Sequence, residues 1–371
     1  MTRFLIVRLG ALGDIVHAIP VAAALRRAFP SAGIDWLVSA KHRDILDLVP
    51  VIDRRLAIND RAWEPARHTR MSAASDSDSV ASTRDSRAAS AASSLLGAVG
   101  ELRRARYDVV LDLQGLIKSA LLARSSGARR VVGFSSRYAR ELLARVFYTD
   151  TYDPGRGGLY DARETRHVVD INLGMLTVLG ITQAAVEFPL DRADSSAARE
   201  VRERTGGRYA LVNPGAAWPN KRWPPARLAE VAVALGERHA LTSVVLWGPD
   251  EEALAREVVD AARGMAILSP PTRIADLVAL ARGAALMVSG DTGPTHIASA
   301  VGTPLVGIYG PTRPTRNGPL SPHDVVVSRD ASCRCHHLRR CTRERMCLLD
   351  IGVEEVVSAI DRRLAREPSR V

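Results

Sequence analysis

The chain has 371 residues, 46% of them hydrophobic, and 51 Lys and Arg against 41 Asp and Glu give a formal charge of +10. That length accommodates two domains of ordinary size, each with its own core. No apolar run reaches about 18 residues free of charges, which argues against a transmembrane helix, and the strand-like F-L-I-V at the start, with no A-x-A site behind it, points away from a signal peptide and toward the cytoplasm. The positive balance suits an anionic ligand: nucleotide, nucleic acid or acidic headgroups of a membrane. A genome that prefers arginine to lysine gives the same surplus.

Taken in chain order, the first half alternates strand and helix. F-L-I-V-R-L reads as a buried strand, Ile15 to Ala28 as a helix, I-D-W-L-V as the next strand and K-H-R-D-I-L-D-L-V as a short helix. His68 to Ser94 is rich in Ser, Ala and Asp and nearly free of large apolar residues. It buries too little to offset its ordering entropy and reads as a flexible insertion. Order resumes with a strand at Asp108 to Leu113, a helix after Q-G, and the strand R-V-V-G-F. A second such pattern begins at Y-A-L-V-N-P-G, with strands at Ala210 to Val212, Ser243 to Leu246, Met287 to Ser289 and Pro304 to Tyr309. The alternation predicts parallel α/β sheets with helices on both faces. It sets the expected domains at 1–190 (with the insertion at about 68–94), a linker at 191–207, a second Rossmann-like domain at 208–350, and a C-terminal helix at 351–371 that packs back on the N-terminal domain.

Four segments can carry chemistry. The first strand runs into L-G-A-L-G-D, which is neither G-x-G-x-x-G nor G-x-x-x-x-G-K-[ST]. Gly10 and Gly13 permit close backbone approach and are candidate acceptor-binding positions. Asp14 is either a helix N-cap or a base that accepts a proton from a nucleophilic hydroxyl. In N-P-G-A-A-W-P-N-K-R-W-P-P, Gly215 and Ala216 keep the turn small and Lys221 lies within reach of a diphosphate; the alternative is a loop with a solvated Lys-Arg pair. In S-G-D-T-G-P-T-H, a strand hands over to a helix whose first N–H groups favour phosphate, with Thr292, Thr295 and His296 as further donors. In W-G-P-D-E-E, an acid beyond a strand end can meet a ribose hydroxyl pair, or simply favour a helix start. Cys333, Cys335, Cys341 and Cys347 are the chain's only cysteines. Their spacing is not the C-x-x-C of a standard zinc site, and they are a candidate metal set or reduced thiols.

G-x-x-G-D, D-L-Q-G-L-I-K-S-A, K-R-W-P, W-G-P-x-E-E and S-G-D-T-G-P-T-H-I-A-S-A-V-G-T-P-L-V-G-I-Y-G-P-T occur in that order and span nearly the whole chain. Together they resemble the lipopolysaccharide heptosyltransferases of glycosyltransferase family nine, and Q-G-L-x-K-S-A looks most like heptosyltransferase I. The resemblance implies a GT-B fold of two Rossmann-like domains facing a central cleft, with acceptor bound on the N-terminal side and nucleotide sugar on the C-terminal side. It implies ADP-heptose as donor, inversion at the anomeric carbon, and no required cofactor or metal. Asp14 matches the family's proposed general base, and Lys221 a residue near the diphosphate. Glu251 matches the acid on the ribose, with Glu252 the alternative one residue on. Asp291, Thr292, Gly293 and His296 match contacts to the nucleotide sugar. Lys118, Arg140 and His167 match positions that meet the acceptor, Kdo2-lipid A or a partly built core. The arginines between Arg124 and Arg145 suit its carboxylates and phosphates and favour a peripheral place on the cytoplasmic face of the inner membrane, against its anionic surface. Neither a nucleic acid nor an obligate protein partner is expected. Two departures stand out: the insertion in the acceptor domain, and the cysteine-bearing tail, which looks like that of heptosyltransferase II-like proteins. The alternatives are therefore a heptosyltransferase II-like or other sugar-nucleotide transferase, or a non-catalytic nucleotide-sugar-binding module.

Overall fold

The computed structural model describes residues 1–59, 97–155, 157–159, 161, 164–333, 338–341 and 344–366; the expected Ser/Ala-rich insertion lies outside them. The chain divides into two compact units. The first comprises Met1–Ala11, Ala18–Glu164 and Val169–Pro189; the second comprises Leu12–His17, Thr165–Val168 and Leu190–Val371.

The first unit is built on β1 (Arg3–Val7), β2 (Gly33–Ser39), β3 (Arg54–Ile58), β4 (Val109–Asp112), β5 (Arg130–Phe134) and β6 (Asp150–Tyr152). They pair in the order β3-β2-β1-β4-β5-β6, every pair parallel. The second unit repeats the plan with β7 (Tyr209–Asn213), β8 (Thr242–Val245), β9 (Ala266–Leu268), β10 (Leu286–Gly290), β11 (Leu305–Tyr309) and β12 (Val325–Ser328). Its order is β12-β11-β10-β7-β8-β9, again all parallel. Each sheet therefore starts at its centre, runs to one edge, returns, and runs to the other. That is the doubly wound Rossmann order, whose ligands bind beyond the strand C-termini where the direction reverses. In the first sheet the reversal lies between β1 and β4, in the second between β7 and β10. Two such units in one chain make up the α/β, GT-B fold class.

The central strands form because their side chains are apolar on both faces, as a sheet covered by helices requires. Val7, Leu111, Leu211 and Val288 are fully buried. Along the chain the helices described from end to end include α1 (Leu12–Val16), α2 (Ile19–Ala28), α3 (Ile117–Ser125), α4 (Val168–Gly174), α5 (Ser196–Arg204), α6 (Pro225–His239), α7 (Glu252–Ala261), α8 (Ile274–Gly283), α9 (Gly293–Ala300), α10 (Pro314–Asn317) and α11 (Val353–Leu364).

Three expectations change. The single helix expected from Ile15 to Ala28 is two, broken around His17 and Ala18. Pro20 is the cause: it lacks an N–H and its ring would collide with the carbonyl of residue 16, so it is tolerated only in the first turn of a new helix. The expected linker at 191–207 is largely helical. Ser195 caps α5 by accepting from Ala198 N–H at 3.0 Å, and its hydroxyl donates to Asp276 on α8 at 2.8 Å. The C-terminal helix, expected against the N-terminal domain, puts Val356, Val357 and Ile360 into the second unit's own core with Trp223, Leu348 and Ile351. Its apolar stripe finds a partner there, and the Trp223 indole N–H donates to the Ile351 carbonyl at 3.2 Å. No helix among the described residues is long and apolar enough to cross a membrane.

Candidate active site

Asn213 closes β7 and Asp291 follows β10, so the two loops flank the reversal of the second sheet. After β7 the chain turns through Gly215 and Ala216 and reaches Lys221 in a short 3-10 helix, Pro219–Lys221. After β10 it enters α9 through Asp291 and Thr292, with Pro294 in the first turn. Both Asp291 oxygens are engaged. Lys221 Nζ donates to Oδ2 at 2.5 Å and His296 Nε2 to Oδ1 at 3.0 Å. Burial alone would raise the Asp291 carboxyl, but the His296 hydrogen bond and the Lys221 charge overcome it and hold the group well below the usual carboxylate range. Asp291 thus stays ionised and fixes a cation, Lys221, at the mouth of the turn; the ammonium also lies 4.6 Å from the centre of the Trp218 ring.

Polar side chains hold the two loops together. Asn213 Nδ2 donates to the Gly215 carbonyl at 3.2 Å, to Ser289 Oγ at 3.2 Å and to Thr292 Oγ1 at 3.0 Å. Thr295, expected as a ligand contact, is buried, and its hydroxyl donates to the Gly290 carbonyl at 2.6 Å. That placement makes it a brace for the β10–α9 turn. Glu251 sits over Gly215: a Cβ there would meet Glu251 Oε2 at 2.1 Å, and Arg222 lies 3.6 Å from its other oxygen. Glu252 turns to Arg256 one helical turn on, with the guanidinium 2.6 Å from its carboxylate. Of the two acids, Glu251 is the one beside the β7 turn.

α1 belongs to this unit and packs against α9. Glycines make the approach close. A Cβ on Gly13 would lie 2.2 Å from His296 Cδ2, and one on Gly293 would lie 2.8 Å from Leu12 Cδ2. Gly13 and Gly293, candidate acceptor and donor contacts, are also the positions at which α1 and α9 come close. Asp14 is half-buried on α1. One turn on, His17 packs edge to face against His296, centroids 4.2 Å apart, and the His167 ring lies 5.2 Å from that of His17. Burial, then the neighbouring His296 and His167, push His17 well below the ordinary imidazole pKa; the charges of Asp14 and Asp291 oppose this only in part. His167 is lowered to about 4 by burial despite its Nε2 hydrogen bond with the Gly318 carbonyl at 3.0 Å. Asp14, His17, His296, Asp291 and Lys221 therefore form one electrostatically connected chain.

In the first unit, Asp112 organises the turn after β4. Its buried carboxylate accepts from Gln114 N–H at 2.9 Å, from Ser119 Oγ at 2.8 Å and from Tyr148 OH at 2.8 Å. Gln114 in turn accepts from Leu9 N–H at 2.7 Å, tying the β4 and β1 turns together. Lys118 lies in the first turn of α3, and Glu141, beside Arg140, accepts from the Ile117 N–H at 2.7 Å at that same helix start. Lys118 and Arg140 are thus carried on adjoining segments. Gly10 faces His42, whose Cδ2 would lie 2.9 Å from an added Cβ. Cys333, Cys341 and Cys347 pack together, while Cys335 lies outside the described residues. No group of three or more His, Cys, Asp or Glu among the described residues is arranged to hold a metal ion.

Sequence reasoning missed His17, Asn213 and Ser289. The available signal was a polar residue inside an otherwise apolar, buried run, which in V-H-A-I-P and in A-L-V-N marks a side chain with a partner to reach.

The model of glycosyltransferase family 9 (heptosyltransferase) matches residues 98–346. The chain belongs to glycosyltransferase family 9. Among family 9 relatives, a lipopolysaccharide heptosyltransferase 1 of Pseudomonas aeruginosa is 28% identical over 355 residues, covering 92% of this chain and 87% of its own. Two solved structures share the fold. A family 9 glycosyl transferase from Veillonella parvula has a TM-score of 0.75 at 24% identity, covering 99% of this chain and 98% of its own. The Escherichia coli heptosyltransferase WaaC with ADP has a TM-score of 0.68 at 22% identity, covering 98% of each. Its matched family is that of the heptosyltransferases.

Proposed function

We propose that this heptosyltransferase moves heptose from ADP-heptose to the Kdo-bearing inner core of lipid A, with inversion, and that Asp14 is the general base. Asp14 takes the proton of the acceptor hydroxyl as that oxygen bonds to the anomeric carbon. The bond from the anomeric carbon to the diphosphate breaks on the opposite face, and ADP leaves with the electron pair. Charge gathers on the departing diphosphate. Lys221, already oriented by Asp291, and the first N–H groups of α9 beside Thr292 meet that charge, so stabilisation needs little reorganisation. Glu251 receives the ribose hydroxyls. Asp291 combines two parts: it orients Lys221 and offers its carboxylate edge to the sugar.

The observation that carries the reading is the network of half-buried Lys221 with buried Asp291 and His296 at the reversal of the second sheet, linked through His17 to the helix of Asp14. Lys118 and Arg140 are the proposed acceptor contacts. Since that acceptor is lipid-borne, the reading places the enzyme on the cytoplasmic face of the inner membrane. The reaction as proposed uses no metal: Lys221 and the helix end take the cation's part.

The test is mass spectrometry of products formed with EDTA present, offering ADP-heptose against UDP- and GDP-sugars, and Kdo2-lipid A against acceptors already carrying one heptose. The reading predicts a single added heptose on Kdo2-lipid A from ADP-heptose alone. Transfer only to the heptosylated acceptor would make it an enzyme of a later step. Binding of ADP-heptose with no transfer to any acceptor would make it a binding module.

A further inference from the structure

α3 and the 3-10 helix Leu142–Phe147 pack against each other in the first unit. Both carry large apolar side chains on the outside. On α3, Leu122 and Ala123 are buried beneath, yet the opposite stripe at helical spacing is Ile117, Leu121 and Arg124, all exposed. In the 3-10 helix only Ala144 is buried; Leu142, Leu143 and Val146 are 69%, 65% and 70% exposed. Single exposed leucines are ordinary, but five large aliphatic residues on two abutting helices make a patch that a monomer in water rarely carries without a use. A helix normally turns polar residues outward; α3 is apolar on both faces.

The segment that carries the patch is one-sided in charge. Between residues 117 and 147 there are seven lysines and arginines and a single acid, Glu141. Glu141 is taken up at the start of α3 by the Ile117 N–H. Arg124 and Arg145, both exposed, sit within the two helices themselves. Protruding aliphatic tips with exposed arginines on the same two helices match the boundary between headgroups and acyl chains of an anionic bilayer, where apolar side chains dip in and cations stay at the phosphates.

We infer that Ile117, Leu121, Leu142, Leu143 and Val146, flanked by Arg124 and Arg145, form the surface by which this enzyme docks on a membrane of anionic lipids. The inference deepens the proposed function and rests on its lipid-borne acceptor: of the proposed acceptor contacts, Lys118 lies in α3 and Arg140 just before the 3-10 helix. Docking through this face brings those cations to headgroup level, so the enzyme takes its acceptor from the surface without extracting its acyl chains.

The experiment is co-sedimentation with vesicles of phosphatidylglycerol and phosphatidylethanolamine, and with vesicles of phosphatidylcholine, for wild type and for L142S/L143S/V146S. Melting curves establish that the exposed substitutions leave folding intact. Wild type is expected to bind the anionic vesicles, to release as salt rises from about 0.1 M to about 1 M, and to bind phosphatidylcholine poorly. The triple variant is expected to lose at least about tenfold in partition coefficient, since three aliphatic tips no longer insert, and R124E/R145E to lose a similar factor. Transfer to a deacylated, water-soluble acceptor should be unchanged in the triple variant, while its transfer to acceptor embedded in vesicles falls. Wild type that ignores anionic vesicles, or a triple variant that binds them as wild type does, overturns the inference. So does a wild-type dimer that the triple substitution dissociates while vesicle binding persists, which would mark the patch as a self-association surface. Vesicle binding needs no turnover, so an enzyme that docks through this patch but transfers no heptose to Kdo2-lipid A refutes the proposed function and leaves the docking surface standing.

Discussion

Gly13→Ala is the sharpest perturbation of the site's architecture. The new methyl carbon would stand 2.2 Å from His296 Cδ2 and 3.0 Å from Nε2, well inside van der Waals contact. His296 has little freedom to yield: it is buried, its Nε2–H donates to Asp291 at 3.0 Å, and the His17 ring lies against it at 4.2 Å. Overpacking of this kind costs about 1–3 kcal/mol. If the ring swings away, the charge-assisted bond to Asp291 is lost as well, roughly another 1.5–3 kcal/mol. The expected sum is about 2.5–6 kcal/mol, on the order of 5–24 °C in the melting of a unit this size. Differential scanning calorimetry reads the shift, and H296A and G13A/H296A complete a double-mutant cycle. Removing the ring relieves the clash, so the double variant should be no less stable than H296A alone. Activity should fall in G13A too, because the next residue is Asp14. A G13A enzyme that melts with wild type, or effects that simply add in the cycle, would refute the close packing of α1 on α9.

Three further outcomes are expected. Lys221→Met leaves the Asp291 carboxylate buried beside His296 alone; stability should drop by about 3–5 kcal/mol, kcat should drop by about 10²–10³, and Asp291→Asn on top should restore part of the stability but none of the activity. Glu251→Ala should raise the KM for ADP-heptose roughly 10- to 100-fold, the worth of a hydrogen bond to a charged group, whereas Glu252→Ala, which loses only a surface pair with Arg256, should leave it unchanged. Finally, His167 is lowered to about 4 in the fold and sits near 6.5 in an unfolded chain. The unfolded state therefore takes up the proton first, and stability falls as pH drops from about 6.5 toward about 4, by up to about 3 kcal/mol from this group. His17, lowered in the same direction, adds to the loss, and His167→Gln should flatten that limb of a thermal-denaturation series across pH.

The strands that could be read in advance were the inner ones. β1, β2, β4, β5, β7, β8, β10 and β11 are covered on both faces and spell continuous apolar runs. The four that escaped notice, β3, β6, β9 and β12, are the four sheet edges. Each is only partly buried: R-R-L-A-I and D-T-Y hold no apolar run, while A-I-L and V-V-V are runs of only three apolar residues. The site was legible for a related reason. Gly215, Lys221, Asp291 and His296 lie just past the ends of inner strands, where a polar, glycine-bearing turn after an apolar run is conspicuous. What the sequence hid was the third dimension. Nothing in L-G-A-L-G-D says that the space beside Gly13 is filled by a histidine nearly three hundred residues away. Nothing in I-K-S-A-L-L-A-R says which of its aliphatic residues face out, because both sides of that helix are apolar.

The central claim, that Asp14 is the base of a heptosyl transfer, is tested most directly by comparing wild type and Asp14→Asn in one titration of ADP-heptose, with donor affinity by calorimetry and product by mass spectrometry. The account predicts that the asparagine enzyme binds ADP-heptose as tightly as wild type yet forms product at least about 10²-fold more slowly. Product at the wild-type rate from the asparagine enzyme would contradict it.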